Sequence, residues 1–561
     1  MSAPSPPLRR SEIALLTLAA AAIAVAMHWP LALHLGRDVP RDIGDPLVQT
    51  WQVAWGGHAL EHQPFDFFQA NTFWPQKNSL AFSDALAGYA PAGLIGEGVR
   101  AAVFRYNLLF LFAYALAFAG AYLLARELGL PPLAAGVAGA AFAYAPWRLE
   151  QDGHLHVLSS GGIPLSLFLL VRGYRRGSAP LVLAGWLVAA WQFSLGFSLG
   201  LQLGYLLVLL GIGTCVWLWR RRSVPARPLL VATGAGMAAF ALTAVVLALP
   251  YLEVLDDHPE AHRTHHQVAG LSPPLRAFVA APEENLIWGE ATAGVRDDLS
   301  SVPEQTLLPG LVIVALAVVG LAAAPFSRRL RLGLGAGVAV CFVLSLGFSE
   351  HGSNLLHPYR LLFDHLPGWK GIRVPGRLTT MTSLGLALLA AGGAERLLRI
   401  VGGRARGRAA TAFGVALVAA ILIEGSGFDF EEGKLRGPSH PSVPIAPAGV
   451  ASLPDPQFHL PAGTPPPNRR YVLWSVDGFP KLVNGRGSFD PIFFKRLVAE
   501  TAGFPDRRSV ARLRALGVRT VVFHPNLATP AERRQLQAAA APAGVVSRRL
   551  DGVLVYELNS R

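Results

Sequence analysis

Apolar runs separated by short polar breaks dominate the chain up to about residue 425, and several reach the ~20 residues that cross a bilayer core. Eleven can be drawn, at 12–35, 102–125, 131–147, 157–173, 180–196, 198–219, 228–251, 304–325, 333–349, 376–398 and 410–425. A Ser-Leu-Gly-Phe turn at 194–197 splits the fifth from the sixth. Arginines gather in the breaks on one side: Arg9 and Arg10, Arg126, Arg172 with Arg175 and Arg176, Arg220 to Arg222, Arg328 with Arg329 and Arg331, and Arg399 with Arg404, Arg406 and Arg408. Acidic and histidine-bearing loops fall on the other side. Positive charge marks the cytoplasmic face, so the pattern predicts a cytoplasmic N-terminus and an extracytoplasmic C-terminal region. The first run is too long for the core of a cleaved signal and no small-residue cleavage site follows it, which predicts an uncleaved first span.

Past residue 426 the pattern changes. Residues 436–468 are proline-rich, and short apolar runs at 471–475, 518–524 and 553–558 predict strands, with helical periodicity at 506–516 and 530–540 between them. The expected architecture is mainly α: a polytopic membrane domain over 1–425 with about eleven transmembrane helices, including a first outer loop at 36–100 and a second at 252–303. A linker over 426–468 then leads to a small extracytoplasmic α/β domain over 469–561.

Composition agrees. Hydrophobic residues make up 52% of the chain and charged residues 15%, against about 25% charged in an average soluble protein. A formal net charge of +13 could point to nucleic acid, but the arginine clusters between spans account for it, and no basic-aromatic groove or nucleic-acid motif accompanies them. Cys215 and Cys341 both lie inside apolar runs, as packing residues do, and no Cys/His metal spacing occurs.

Candidate chemistry sits in the outer loops. Asp42 and Asp45 follow the first run; carboxylates there can act as general base toward a hydroxyl, or share a divalent cation such as Mg or Mn. Asp45-Pro46 also fits a helix cap followed by proline at the first helical position. Trp51, Trp55, Phe67, Phe68 and Trp74 suit anchoring at a membrane interface or contact with a sugar or lipid chain, and Asp84 closes the same loop. Arg148, Asp152, His154 and His156 form a second polar segment, in which Arg148 and the histidines suit a phosphate, although a hydrated turn reads the same way. Lys370, Arg373 and Arg377 put three cations on the outer side, against the general trend. An anionic lipid phosphate, or acidic residues such as Glu304, would balance them.

Taken in order, Gly44-Asp45-Pro46-Leu47 with Trp51 and Trp55, Asn71-Thr-Phe-Trp-Pro75, Leu80-Ala-Phe-Ser-Asp84, Tyr144-Ala-Pro-Trp-Arg148 with His154, Glu304 with Leu308-Pro309-Gly310, Arg373-Val-Pro-Gly-Arg377, Val483-Asn484-Gly485, Phe504-Pro505-Asp506 and Leu516-Gly517-Val518-Arg519 with His524 resemble bacterial polytopic membrane proteins related to the GT-C glycosyltransferases. The resemblance implies transfer of a sugar from a polyprenyl-phosphate donor to an extracytoplasmic acceptor (a glycan, lipid or protein) at a bacterial inner membrane. It implies no nucleotide cofactor. Asp45 matches the first-loop acid of such enzymes, with Asp42 as its companion and Asp152 as a loosely aligned second acid. His154, Arg373 and Arg377 would bind the donor phosphate, with Arg148, His156, Trp51, Trp74 and Asp84 as further substrate contacts. The alternative is a non-catalytic role in binding, transporting or assembling lipid-linked glycan. Transport would call for ionisable groups within the spans, and Glu424 is the nearest candidate.

Overall fold

Proline and glycine decide where the apolar runs become helices. The computed structural model describes residues 7–222, 224–349, 357–404, 407–431, 434–538 and 544–558; Arg406 of the last arginine cluster lies outside them. By its contacts the chain divides into two compact units. The first comprises Met1–Leu33, Leu109–Val245 and Arg263–Ser439, and the second His34–Leu108, Val246–His262 and His440–Arg561.

The first unit is helical. A helix stands at each of the eleven predicted runs, but by length and composition six among the described residues can cross a membrane: Arg10–Met27, Gly98–Glu127, Leu155–Arg176, Phe197–Arg221, Arg227–Asp257 and Gly407–Glu424. Ala179–Leu195 and Leu311–Ala323 are shorter apolar helices. Several boundaries differ from expectation; the first helix, for one, ends at Met27 rather than 35. The third run stops at Ala143 rather than 147, because Pro146 cannot donate to the helical ladder and its ring disfavours helical geometry in the residue before it. The eighth begins at Leu311 rather than 304, since Pro309 and Gly310 intervene.

That late start creates a cap. Gly310 takes a φ of 97°, a conformation glycine adopts without strain. The carboxylate of Glu424 accepts from the Leu311 amide (2.5 Å), the Val312 amide (3.0 Å) and the Trp288 indole (3.0 Å). Glu424, the nearest candidate for a transport pathway, therefore closes a helix N-terminus, where negative charge is favoured. Glu424→Ala is expected to cost about 1–3 kcal/mol by leaving part-buried amides without this acceptor, and Glu424→Gln roughly half of that. Thermal unfolding in detergent checks this; equal melting of Glu424→Ala and wild type would contradict the cap.

The second unit is built on a four-stranded sheet. Strands β1 (Asp429–Glu431) and β2 (Lys434–Arg436) form a separate pair in the first unit; the sheet runs β3-β4-β6-β5, with β3 at Gln457–Leu460, β4 at Thr520–Phe523, β5 at Val545–Leu550 and β6 at Val553–Leu558. β3 and β4 are parallel, and the other pairings are antiparallel. The last two predicted strands and both predicted helices are present, as β4, β6, Arg507–Leu516 and Pro530–Ala538. Asp506 caps the first of these helices through the Ser509 amide (2.7 Å), and Gly517 ends it at a φ of 89°.

Two expectations fail here. The segment at 471–475 is not a strand but the end of a helix, Pro465–Trp474, which starts on a proline that lacks the amide a first helical turn leaves unbonded. Its Tyr471, Val472, Leu473 and Trp474 are all buried, so their apolar run carries no alternation to separate helix from strand. The 436–468 stretch is not wholly irregular, because β3 lies within it.

First-loop residues join this sheet by backbone bonds. Leu482 donates to Asn71 O (2.7 Å), Phe73 to Asn484 O (3.0 Å) and Trp74 to Leu482 O (3.0 Å), while Val483 donates to Gln457 O on β3 (2.9 Å). Gly485 is required there, because a Cβ would run into the Phe73 ring.

Candidate functional site

In the second unit the chain enters the first-loop helix, Asp45–His62, through a tight turn. Arg41 has a φ of 67°, and the Asp42 carboxylate, exposed, accepts from the Gly44 amide at 2.6 Å. Asp45 is the first helical residue and Pro46 the second; the cap position is held by Gly44 without a side-chain bond. The expected Asp45 cap is thus displaced by one residue. Asp45 stays 42% exposed at its side chain and pairs with Arg469 (Nη2 to Oδ1, 3.3 Å).

The two carboxylates therefore have separate partners. Among the described residues no group of three His, Cys, Asp or Glu side chains is placed to hold a metal ion. Asp42 is bonded to an amide and Asp45 to a guanidinium, each through one carboxylate oxygen; these two side chains are the ones that would hold a divalent cation there.

Trp51 and Trp55 are buried in the second unit. Trp51 is 2% exposed and its indole donates to Asn71 Oδ1 (2.9 Å), while Asn71 donates to Pro480 O (2.9 Å). The Trp55 indole donates to Phe67 O (3.0 Å), and Trp74 is half-buried. Asp84 lies between Ser83 and Ala85, whose backbone groups both bond the Tyr251 hydroxyl. Gly57 and Gly93 bring backbones into contact, which holds the helix against the segment Ala87–Leu94.

In the first unit, Glu304, Arg377, His154 and His156 come together. Arg377 bonds Glu304 from Nη2 (2.7 Å) and Nε (3.4 Å), and its Nη1 lies 3.1 Å from His156 Nε2. Since the guanidinium can only donate, His156 accepts there and carries its proton on Nδ1 when neutral. His154 Nδ1 faces Gln151 Oε1 at 3.0 Å, and Gln151 in turn donates to Pro303 O. Burial acts to raise the Glu304 carboxyl, but the positive charges of Arg377, His154 and Arg373 outweigh it and hold the group below the usual carboxylate range. Glu304 is thus the ion-pair partner of Arg377.

Arg148 and Asp152 lie deeper. Arg148 is 1% exposed, bonds Ser160 Oγ (3.1 Å) and Leu158 O (2.9 Å), and lies over the Tyr114, Phe142 and Trp147 rings. Asp152 accepts from the Tyr114 hydroxyl and lies 3.6 Å from His28 Nδ1. A cavity of about 10 Å³ bordered by His28, Tyr114, Tyr144 and Arg148 is just large enough for one water.

Sequence reasoning passed over Arg469, Tyr114 and His28. Arg469 carried a usable signal: with Arg470 it forms a cation pair in the region expected to be extracytoplasmic, the criterion that singled out Arg373 and Arg377. Tyr114 and His28 carried none, because each is a single polar residue at an apolar run.

No protein-family model matches the sequence, and no curated protein matches it. Among solved structures, the arabinofuranosyltransferase AftD from Mycobacteria aligns over 100% of this chain and 42% of its own length, with 16% identity and a TM-score of 0.56. The chain thus spans less than half of that protein. The apo Archaeoglobus fulgidus oligosaccharyltransferase covers 92% of this chain and 70% of its own at 13% identity and a TM-score of 0.45. ArnT from Cupriavidus metallidurans bound to undecaprenyl phosphate covers 98% of both chains at 14% identity and a TM-score of 0.36. Both of these scores lie below the level at which two folds can be equated.

Proposed function

We propose that this chain, which has the fold of the GT-C glycosyltransferases, is a membrane glycosyltransferase that moves a sugar from a polyprenyl-phosphate donor to an extracytoplasmic acceptor. The observation that carries the proposal is Asp45: an accessible carboxylate on the first turn of a rigidly packed first-loop helix, within a chain of that fold. Asp45 takes the proton of the acceptor hydroxyl. The acceptor oxygen bonds to the anomeric carbon as the bond from that carbon to the phosphate oxygen breaks, with inversion. Polyprenyl phosphate leaves with the electron pair.

Binding of a lipid phosphate is proposed for Arg377, Arg373 and His154 of the first unit, with His156 as the neutral acceptor that orients Arg377. Arg148 contributes through its buried charge, and Asp42 supports the turn that presents Asp45. The protein would act in a bacterial inner membrane, N-terminus inside. With Glu424 engaged as a helix cap, no observation favours transport.

The test is label transfer from a panel of polyprenyl-phosphate sugars by purified protein in lipid, wild type beside Asp45→Asn. No polyprenyl phosphate released by folded wild type from any donor would defeat the proposal. Because the carboxylates already have non-metal partners, transfer is expected to persist within about twofold in excess EDTA, as suits a base that acts by proton transfer alone. Loss on chelation, restored by Mg or Mn, would show a cation recruited to Asp42 and Asp45.

A further inference from the structure

Arg469 meets Asp45 from a segment far away in sequence, and both residues are carried on helices that cannot easily move. On one side, the Asp45–His62 helix is fixed by the Trp51 bond to Asn71 and by the backbone contact of Gly57 with Gly93. On the other, the Pro465–Trp474 helix is pinned around Arg469. Asn468 donates to Ala462 O (2.9 Å) and Thr464 O (3.1 Å) and accepts from Asn484 (2.9 Å). The Tyr471 hydroxyl donates to Pro461 O (3.2 Å), and the Trp474 indole to Pro444 O (2.8 Å).

An ordinary surface ion pair gains little because two long side chains must be ordered to form it. Here the carriers are already ordered and the Arg469 side chain is 24% exposed, so the orientation comes from the fold. The contact is single, Nη2 to Oδ1 at 3.3 Å, and comes from a planar donor group that is more directional than a rotating ammonium. Asp45 nevertheless keeps enough exposure to meet a substrate hydroxyl.

We propose that Arg469 is a positioning residue, holding the Asp45 carboxylate in the orientation from which it takes the acceptor proton. The proposal rests on Asp45 being the base assigned above. It also gives the C-terminal region a part in the chemistry, through one side chain of its first long helix.

Two measurements test it on the full-length protein in lipid. In the transfer assay, Arg469→Ala is expected to lower kcat by about tenfold to a hundredfold, the scale of a slightly misplaced group, and to leave KM for the donor within about twofold. Arg469→Lys should recover part of the loss. In the second, carbodiimide-driven amine labelling read by mass spectrometry, Arg469→Ala should raise modification of Asp45 severalfold. Exposed Asp42 serves as the internal reference and should not change; unchanged labelling of Glu304, 11% exposed at its side chain, reports that the variant is folded.

Unchanged kcat, a rise in KM alone, or unchanged Asp45 labelling in an active protein would overturn the positioning role and leave the glycosyltransferase assignment standing. A wild type that moves no sugar would overturn that assignment first, and the positioning role with it.

Discussion

An Asp45→Asn chain is expected to fold as wild type does and to transfer sugar roughly a hundred- to ten-thousand-fold more slowly, the range spanned by loss of a general base. Asparagine keeps the size and shape of the side chain, and Asp45 is the first helical residue rather than a buried core group, so little stability depends on its charge. The half-exposed pair with Arg469 is worth at most about 1 kcal/mol to the fold. What the amide cannot do is accept the acceptor's proton. The loss should therefore fall on kcat, with KM for the donor nearly unchanged, because the donor phosphate is assigned to other residues. Asp42→Asn should be far milder: its carboxylate shapes the turn through the Gly44 amide, and an asparagine oxygen accepts the same bond. Equal losses in the two variants would place the chemistry on the pair rather than on Asp45.

The second large effect is acid sensitivity of the second unit. His459 and His524 are 4% and 3% exposed, with ring centroids 5.1 Å apart and Tyr471 and Trp474 beside them. The Gln457 amide donates to Val450 O and Leu453 O, so its oxygen accepts from His459 Nε2 (3.1 Å). His459 Nδ1 then accepts from His524 Nε2 (3.0 Å), and both rings are neutral. Burial, with His524 beside it, pushes His459 far below the usual histidine range, and burial alone pushes His524 down to about 3.

An unfolded chain titrates each ring near its ordinary value of about 6.5. Above that pH neither state binds the protons and stability is full. Below it the unfolded state binds them and the folded state does not, so stability falls with pH until the folded values are reached. Each ring approaches a loss of about 1.4 kcal/mol per pH unit, so the two together remove about 3 kcal/mol between pH 6.5 and pH 5. Hydrogen exchange on β3 and β4 across that interval measures it. His524→Phe should halve the slope, and protection that does not change with pH would show that the pair is not held neutral.

Much of the architecture was legible in the sequence because its causes are local. Apolar length and arginine placement located a helix at every predicted run, and helical periodicity located the Arg507–Leu516 helix. The Tyr471–Trp474 stretch was not legible, since a short run buried on all sides has the same composition as helix or strand. The candidate site was half legible. Residue type and membrane side singled out Asp45, Arg377 and Glu304, and the last two do pair. Arg148, also singled out, lies sealed under aromatic rings, a fate its neighbours in sequence do not reveal.

The sequence by itself determined that this is a chain of membrane-length apolar helices with one cationic side and a polar C-terminal region. Hydropathy, charge side and end signals all act over one helix or one turn. Only the tertiary structure decided that residues 71–74 hydrogen-bond to 482–484, and through them to β3, and that Arg469 meets Asp45. Those contacts join segments about four hundred residues apart in the chain. Such a meeting depends on how whole elements pack, and packing leaves no periodicity in either segment to announce its partner.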